Sequence, residues 1–273
     1  GVPASGLVAF DAHRRNLWQD LRDGALGSHR QFVTLMTHER LKHPPAAIGN
    51  ALGSARARFY PYQFKPLLKF LDHPSHRVLV ADDVGLGKTI EAGYILREWR
   101  ARRDVSNVLV VVPARLRTKW QNELNTKFGE SFETVDAGKV RSVLRRVADG
   151  APLDPFSWIA SYESLRDEQI VDLLTDLELP LDMVILDEAH RVRNVGTNQH
   201  KLARALAAGA EAAVFLTATP VQTKLEDLFR LLDLLDPGAY GSETTFSDIL
   251  EANRPIVRAA RLAAAGQFPD AVV

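Results

Sequence analysis

The chain has 273 residues with 34 basic and 34 acidic side chains, so its net charge is zero and no overall field indicates a nucleic-acid or membrane partner. It contains no cysteine, which excludes disulfides and thiolate metal sites. No apolar run approaches the ~18 residues that a membrane span needs, and we expect no membrane partner.

The first part of the chain, residues 1–55, has a mostly helical pattern. The stretch Ser28–Leu41 begins with serine and carries apolar side chains at helical spacing, and the prolines at 44 and 45 end it. We therefore predict a helical N-terminal extension with a connector over residues 1–55. Because the sequence begins without methionine, we also expect it to be a fragment or a processed product.

Residues 56–240 alternate between β-rich and helical runs. Near-continuous apolar runs predict strands buried on both faces of a parallel sheet. The predicted strands are Arg77–Ala81, Asn107–Val112, Ser157–Ser161, Asp182–Leu186 and Ala212–Ala218. The predicted helices between them are Thr89–Arg103, Arg115–Phe128, Ser164–Leu179 and Gln199–Ala208. Alternation of this kind predicts an α/β sheet with right-handed crossovers.

The strand pattern stops near Gly241. A weak helical pattern follows from Phe246 to Gly266, and we expect it to break at Arg254–Pro255 because proline lacks the backbone donor that a helix uses. Residues 241–273 are therefore predicted to be the helical start of a further segment.

The segment ADDVGLGKT, Ala81–Thr89, joins a predicted buried strand to a predicted helix. A loop that opens a helix presents free backbone N–H groups and the positive end of the helix dipole to an anion. Glycines let the backbone close around a phosphate, Lys88 can reach the β- and γ-phosphates, and the Thr89 hydroxyl can hold Mg²⁺. The general P-loop pattern has glycine where this chain has Asp82, so the alternative is a tight turn that contains GKT by chance.

Three other polar stretches lie close to predicted strands. Asp187 and Glu188 follow one strand, where one carboxylate can hold Mg²⁺ and the next can deprotonate the attacking water. Thr217 and Thr219 end another strand and are either plain strand residues or sensors of the γ-phosphate. Gln63 precedes the first strand, and its side-chain amide has both the donor and the acceptor that an adenine edge requires.

The segments PYQ, DDVGLGKTIEA, VVPARL, ASYESL, DEAH and LTATP occur in the order found in SWI/SNF-type ATPases of helicase superfamily two, the DEAH-box class. The resemblance extends from about Tyr60 to Tyr240, and the LLDP and NRP segments that follow resemble the bacterial RapA-like branch. It implies a RecA-like P-loop domain with a mostly parallel central sheet flanked by helices, as lobe 1 of two. Aspartate at position 82 is usual in this family, whereas Asp83 replaces a glutamate and Tyr60 replaces a common arginine.

The resemblance also implies a role for single residues in binding ATP and Mg²⁺. Gln63 would contact adenine, Lys88 the β- and γ-phosphates, and Glu188 would activate water. Thr89 and Asp187 would hold the metal. The residues that would wrap the nucleotide phosphates are Asp83, Val84, Gly85, Leu86, Gly87, Lys88 and Thr89.

Two further groups of residues take roles from the resemblance. One group would couple the nucleotide state to the grip on DNA; its members are His190, Thr217 and Thr219. The other group would lie along the DNA backbone; its members are Pro113, Ala114, Arg115, Ser161 and Tyr162. Backbone contacts suit a motor that must ignore sequence.

The function implied by the resemblance is that of a DNA-dependent ATPase that translocates on double-stranded DNA and remodels nucleoprotein complexes in the bacterial cytoplasm, at the nucleoid. RNA polymerase and phage-defence proteins are the expected partners. Nothing after Gly241 resembles the second RecA-like lobe with its arginine finger, so we expect a partner lobe, in a parent chain or in trans, and slow turnover without it. The alternatives are a non-catalytic interaction lobe and a non-motor P-loop enzyme such as a small-molecule kinase.

Overall fold

The computed structural model describes residues 55–56, 60–83, 85–218 and 225–264. Within them six strands form one sheet, and every neighbouring pair is parallel. The strands are β1 (Arg77–Val80), β2 (Asn107–Val112), β3 (Glu133–Thr134), β4 (Phe156–Ser161), β5 (Leu181–Leu186) and β6 (Ala210–Leu216). Their spatial order is β1-β6-β5-β2-β4-β3. The predicted parallel α/β architecture is thereby confirmed.

Helices connect the strands and cover the sheet. They are α1 (Lys65–Asp72), α2 (Lys88–Arg102), α3 (Arg117–Phe128), α4 (Ala137–Ala148), α5 (Tyr162–Leu165), α6 (Glu168–Leu177), α7 (Asn198–Ala208), α8 (Leu225–Leu235) and α9 (Glu243–Ala264). Short 3₁₀ turns occupy Pro61–Phe64, Ala114–Leu116 and Ala189–Val192. Among these helices none is long and apolar enough to cross a bilayer.

The core lies on both faces of the sheet, which explains the unbroken apolar runs. Along β2, Val108 and Val110 pack in a cluster with α1, α2 and α3, whereas Leu109 and Val111 pack in a second cluster with α6, α7 and α8. Successive side chains of a strand point to opposite faces, so a strand covered on both faces needs apolar residues at every position.

Helices α2 and α3 pack very closely because of one glycine. A methyl group at Gly93 would lie 2.2 Å from the ring of Phe128, so only hydrogen fits at this position. Phe128 is 2% exposed and ends α3. This contact fixes α2, which follows the ADDVGLGKT loop, against α3.

The structure corrects several sequence expectations. Helix α9 runs through Pro255, where a break was expected; residues 251–255 are exposed, so water can satisfy the carbonyl that the proline leaves without a donor. The single predicted helix Ser164–Leu179 is two helices, α5 and α6, and the helix predicted from Arg115 begins at Arg117 after a 3₁₀ turn. Helices α1, α4 and α8 and strand β3 have no counterpart among the predicted elements.

The predicted domain limits remain predictions. The predicted extension over residues 1–55 lies outside the described residues except for residue 55. At the other limit, Phe246 of α9 is buried and its ring lies 5.6 Å from that of Phe229 on α8 and 5.7 Å from that of Tyr240. The start of α9 therefore packs directly on α8.

Candidate functional site

The strand order brings the predicted site residues together at the carboxyl edge of the sheet. Strands β1, β6 and β5 are neighbours, and they end in the ADDVGLGKT loop, Thr217 and Asp187 respectively. Strands β2 and β4 lie beside them and end at Pro113 and Tyr162. In open α/β sheets this edge is where ligands bind.

The loop after β1 holds its lysine in place through its own backbone. The Lys88 ammonium donates to the carbonyl oxygens of Asp82, at 3.0 Å, and Asp83, at 3.2 Å. Gly85 and Gly87 have φ angles of +90° and +97°, a region that side chains disfavour. Gly87 precedes the first residue of α2, so the loop opens directly onto a helix N-terminus. Val84 lies outside the described residues.

Gln63 packs against this loop. Its side-chain nitrogen donates to the Leu86 carbonyl at 2.6 Å, and the Tyr62 hydroxyl donates to the same oxygen at 3.2 Å. Gln63 is 4% exposed, and its Oε1 has no hydrogen-bond partner among the described residues. The loop approaches so closely that a methyl group at Gly87 would lie 2.2 Å from the Gln63 nitrogen.

Asp187 follows β5 and is 6% exposed. Its Oδ2 accepts a hydrogen bond from the indole nitrogen of Trp120 at 2.8 Å, and its Oδ1 accepts from the Glu188 backbone at 2.9 Å. Burial raises the pKa of this carboxyl and the nearby Glu188 charge adds to the rise, whereas the Trp120 hydrogen bond and the Lys88 charge oppose it.

Glu188 sits in the left-handed backbone region, with a φ of 53°, which costs a non-glycine residue roughly 1–2 kcal/mol. His190 Nδ1 lies 3.3 Å from a carboxylate oxygen of Glu188 and 3.4 Å from the Thr217 hydroxyl. Burial lowers the pKa of this imidazole. His190 thus bridges the ends of β5 and β6. Thr219, the third residue of the predicted coupling group, lies outside the described residues.

The five residues predicted to face DNA divide into two sets. Ala114 and Arg115 are exposed beside the buried Pro113. Ser161 and Tyr162, by contrast, are 1% and 0% exposed, so neither side chain is accessible in this structure. Ser161 caps α5 by accepting from the Ser164 backbone, and the Tyr162 hydroxyl donates to the Asp187 carbonyl at 2.8 Å.

Glu163 was not predicted from the sequence. Its contacts join three segments of this edge: its own, the one that follows β2 and the one that follows β5. Its two carboxylate oxygens accept from the Ala114 backbone at 3.1 Å and from Arg191 at 2.9 Å. The guanidinium of Arg191 lies 5.9 Å from the centre of the Tyr162 ring. Glu163 follows a residue already predicted to be functional, but no local pattern indicates these long-range partners.

Glu91, three residues after Lys88 on α2, was also missed. It is fully buried, and neither carboxylate oxygen has a hydrogen-bond donor among the described residues. Burial, together with the neighbouring Asp82 carboxyl, raises the pKa of Glu91 to about 9. Its position in the apolar run IEAGYIL was the available signal, since a glutamate there is held inside the protein.

We expect the free energy of unfolding to depend less on pH in the Glu91→Gln variant than in the wild-type chain. A carboxyl with a raised folded pKa contributes stability below its unfolded pKa and loses it as pH rises toward about 9. Between about pH 6 and about pH 8, this group should lower the unfolding free energy by up to about 1.4 kcal/mol per pH unit. Urea unfolding in EDTA at both pH values measures this effect. If the free energy of unfolding changes equally with pH in the wild type and the variant, Glu91 is ionised in the fold.

The SNF2-related domain model matches residues 29–264 of the chain. An ATP-dependent helicase of Bacillus subtilis, YqhH, is 33% identical over 188 residues, which cover 69% of this chain and 31% of the relative. The RNA polymerase-associated protein RapA of Pasteurella multocida is 32% identical over 240 residues, covering 82% of this chain and 24% of the relative. The chain thus spans less than a third of the length of these relatives.

Solved structures show the same fold. The Sulfolobus solfataricus SWI2/SNF2 ATPase core domain is 21% identical with a TM-score of 0.57, over 83% of this chain and 46% of that one. The same core in complex with double-stranded DNA is 21% identical with a TM-score of 0.55, over 79% and 44%. The predicted RecA-like fold is confirmed by this likeness.

Proposed function

The chain belongs to the SNF2-related family of ATPase domains, and from that premise we propose that it is the first RecA-like lobe of a motor that uses ATP and Mg²⁺ to move on double-stranded DNA. One observation carries the proposal: the phosphate-type loop, the buried Asp187 and the His190–Thr217 pair meet at one edge of the sheet. Family membership supports ATP use in general, and the assignment of single residues is our proposal.

The contacts of Lys88 and Gln63 support a role for both in binding a nucleotide. The Lys88 ammonium is satisfied by two carbonyl oxygens of its own loop, and phosphate oxygens are stronger acceptors of the same kind. Gln63 keeps one buried amide oxygen without a partner among the described residues, which suits the exocyclic amino group of adenine. Lys88 would therefore bind the β- and γ-phosphates and Gln63 the base.

Residues at the start of α2 and directly after β5 would bind the metal and activate the attacking water. Thr89, in the first turn of α2, and Asp187 supply the hard oxygen ligands that Mg²⁺ prefers. When bound, Mg²⁺ would neutralise charge on the phosphates. Glu188 would accept the proton of the attacking water, and His190 with Thr217 would report the state of the nucleotide to the rest of the motor.

The DNA face would lie at the ends of β2 and β4, beside the nucleotide residues in the strand order. The exposed Arg115 is the residue we propose for contact with a DNA phosphate. Ser161 and Tyr162 would act from beneath this surface, since both side chains are buried. A Sulfolobus solfataricus relative was solved with double-stranded DNA, which supports this class of partner.

The remaining parts of the proposal concern the whole protein. The chain spans less than half of the solved ATPase cores, so a second lobe, in a parent chain or in trans, would supply the arginine finger worth roughly 10³–10⁵ in rate. Similarity to RapA supports an RNA polymerase-associated remodelling role in the bacterial cytoplasm, and a phage-defence role is the second candidate target. A non-catalytic lobe that only docks to a partner would show no ATP turnover even in the complex.

Anisotropy of a labelled DNA duplex tests the proposal. We expect duplexes of unrelated sequence to bind with similar affinity that falls steeply as salt rises. The Arg115→Ala variant should weaken binding to all of them and reduce the salt slope by about 1, because one phosphate contact is lost. Arg204→Ala, which removes another exposed arginine on α7, is the matched control. A folded chain that binds nucleotide but no duplex at low salt would point instead to a non-motor P-loop enzyme.

A further inference from the structure

The carboxylate of Asp187 is held on both of its oxygens. The Trp120 indole N–H reaches Oδ2 at 2.8 Å, and the Glu188 backbone N–H reaches Oδ1 at 2.9 Å. Trp120 and Asp187 are 1% and 6% exposed, so water does not compete for the indole bond. Two donors at two oxygens fix the rotation of a carboxylate group, which a single donor would leave free.

The backbone of Asp187 is held as well. The Tyr162 hydroxyl, from the short helix α5, donates to the Asp187 carbonyl at 2.8 Å, and Tyr162 is completely buried. Side chain and main chain of Asp187 are therefore each fixed by an aromatic donor. The two donors come from segments that lie 67 and 25 residues away in sequence.

We infer that Trp120 is a positioning residue that orients Asp187 for Mg²⁺, with Tyr162 as its support on the main chain. The inference rests on the proposed nucleotide site. Partners that orient a metal ligand matter nearly as much as the ligand, and their loss typically costs about 10–100-fold in metal affinity. The indole also offsets the loss of hydration that a buried carboxylate suffers.

Helix α3 connects the Trp120–Asp187 hydrogen bond to the proposed DNA face. Trp120 lies in the first turns of α3, which begins directly after the 3₁₀ turn Ala114–Leu116 that carries Arg115. A displacement of that turn would move the indole donor with the helix. Trp120 is thus placed to act on Asp187 from the DNA side of the sheet.

The test compares two single tryptophan replacements. Trp120→Phe removes the indole donor from Asp187, whereas Trp99→Phe is the matched control, because Trp99 is equally buried and its indole nitrogen has no partner among the described residues. The readout is the affinity for a fluorescent ADP analogue in Mg²⁺ and in EDTA, measured by the anisotropy of the label. The affinity in Mg²⁺ divided by the affinity in EDTA isolates the contribution of the metal.

We expect Trp120→Phe to lower that ratio by about tenfold while the affinity in EDTA stays within about threefold of wild type. Trp99→Phe should leave the ratio unchanged, and Tyr162→Phe, which deletes only a hydroxyl, should lower it less. An unchanged ratio in Trp120→Phe, or an equal loss of affinity with and without Mg²⁺, would overturn the inference. A wild-type chain whose nucleotide affinity ignores Mg²⁺ would overturn the proposed site itself. If Trp120→Phe does not fold by circular dichroism, Trp120→Tyr, which is also aromatic and lacks the indole N–H, takes its place in the same comparison.

Discussion

The Lys88→Ala variant is expected to bind ATP roughly 100-fold more weakly than the wild-type chain, because it loses one or two charge-assisted hydrogen bonds of about 1.5–3 kcal/mol each. Among the described residues, the same ammonium donates hydrogen bonds to the Asp82 and Asp83 carbonyls of its own loop. Those bonds are exposed or half-buried and contribute little to folding. The fold should therefore survive the change while the affinity falls.

Titration of a fluorescent ATP analogue in Mg²⁺ measures this effect. Lys201→Ala, an exposed lysine on α7, removes a positive charge of the same kind at a distance from the loop and should bind as wild type does. If Lys88→Ala and Lys201→Ala bind alike, the loop does not hold the phosphates and the proposed roles of its residues fail together. Thermal unfolding of both variants confirms that the comparison is made on folded protein.

The Gly87→Ala variant is expected to lower ATP affinity by roughly 10–100-fold through two separate costs. The residue has a φ of +97°, which costs an alanine about 1–2 kcal/mol. Its methyl group would also lie 2.2 Å from the Gln63 side-chain nitrogen, so either the loop or Gln63 must move. Both displacements reach the loop backbone that we propose binds the phosphates, and the proposed adenine contact.

Two further variants separate strain from collision. Gly85 has a φ of +90°, but apart from its chain neighbours no atom of the described residues lies within 4 Å of the position that an added methyl group would take. Gly85→Ala should therefore show the strain without the collision and a smaller loss of ATP affinity. Gly87→Ala should also lower the free energy of unfolding, and the double variant Gly87→Ala with Gln63→Ala should recover part of that loss, because the collision is gone. Equal losses of ATP affinity in Gly85→Ala and Gly87→Ala, with no recovery of the free energy of unfolding in the double variant, would show that contact with Gln63 does not shape the loop.

The fold could be predicted from sequence because each long buried strand is a near-continuous apolar run. Val108 to Val112 are apolar at every position since β2 is covered on both faces. Polar residues that interrupt such runs at their ends, such as Asp187 and Thr217, could be assigned to the edge of the sheet. Elements without such a run were missed: β3 has only two residues, Glu133 and Thr134, and both are exposed.

The partners of the site residues could not be predicted, because they depend on tertiary packing. Trp120 reads as an ordinary apolar position of an amphipathic helix, and its bond to Asp187 crosses 67 residues. A family pattern likewise names Ser161 and Tyr162 but does not say where their side chains point. Ser161 is the last residue of β4 and Tyr162 the first of α5, and both side chains are buried at this junction.

A crystal structure of the chain with Mg²⁺ and a non-hydrolysable ATP analogue tests the central claim most directly. We expect the Lys88 ammonium to leave the Asp82 and Asp83 carbonyls for the phosphates. We also expect Thr89 and Asp187 to face the metal and Gln63 to contact the base. A nucleotide bound elsewhere, or one bound at this edge with Lys88 still on its own carbonyls, would contradict it.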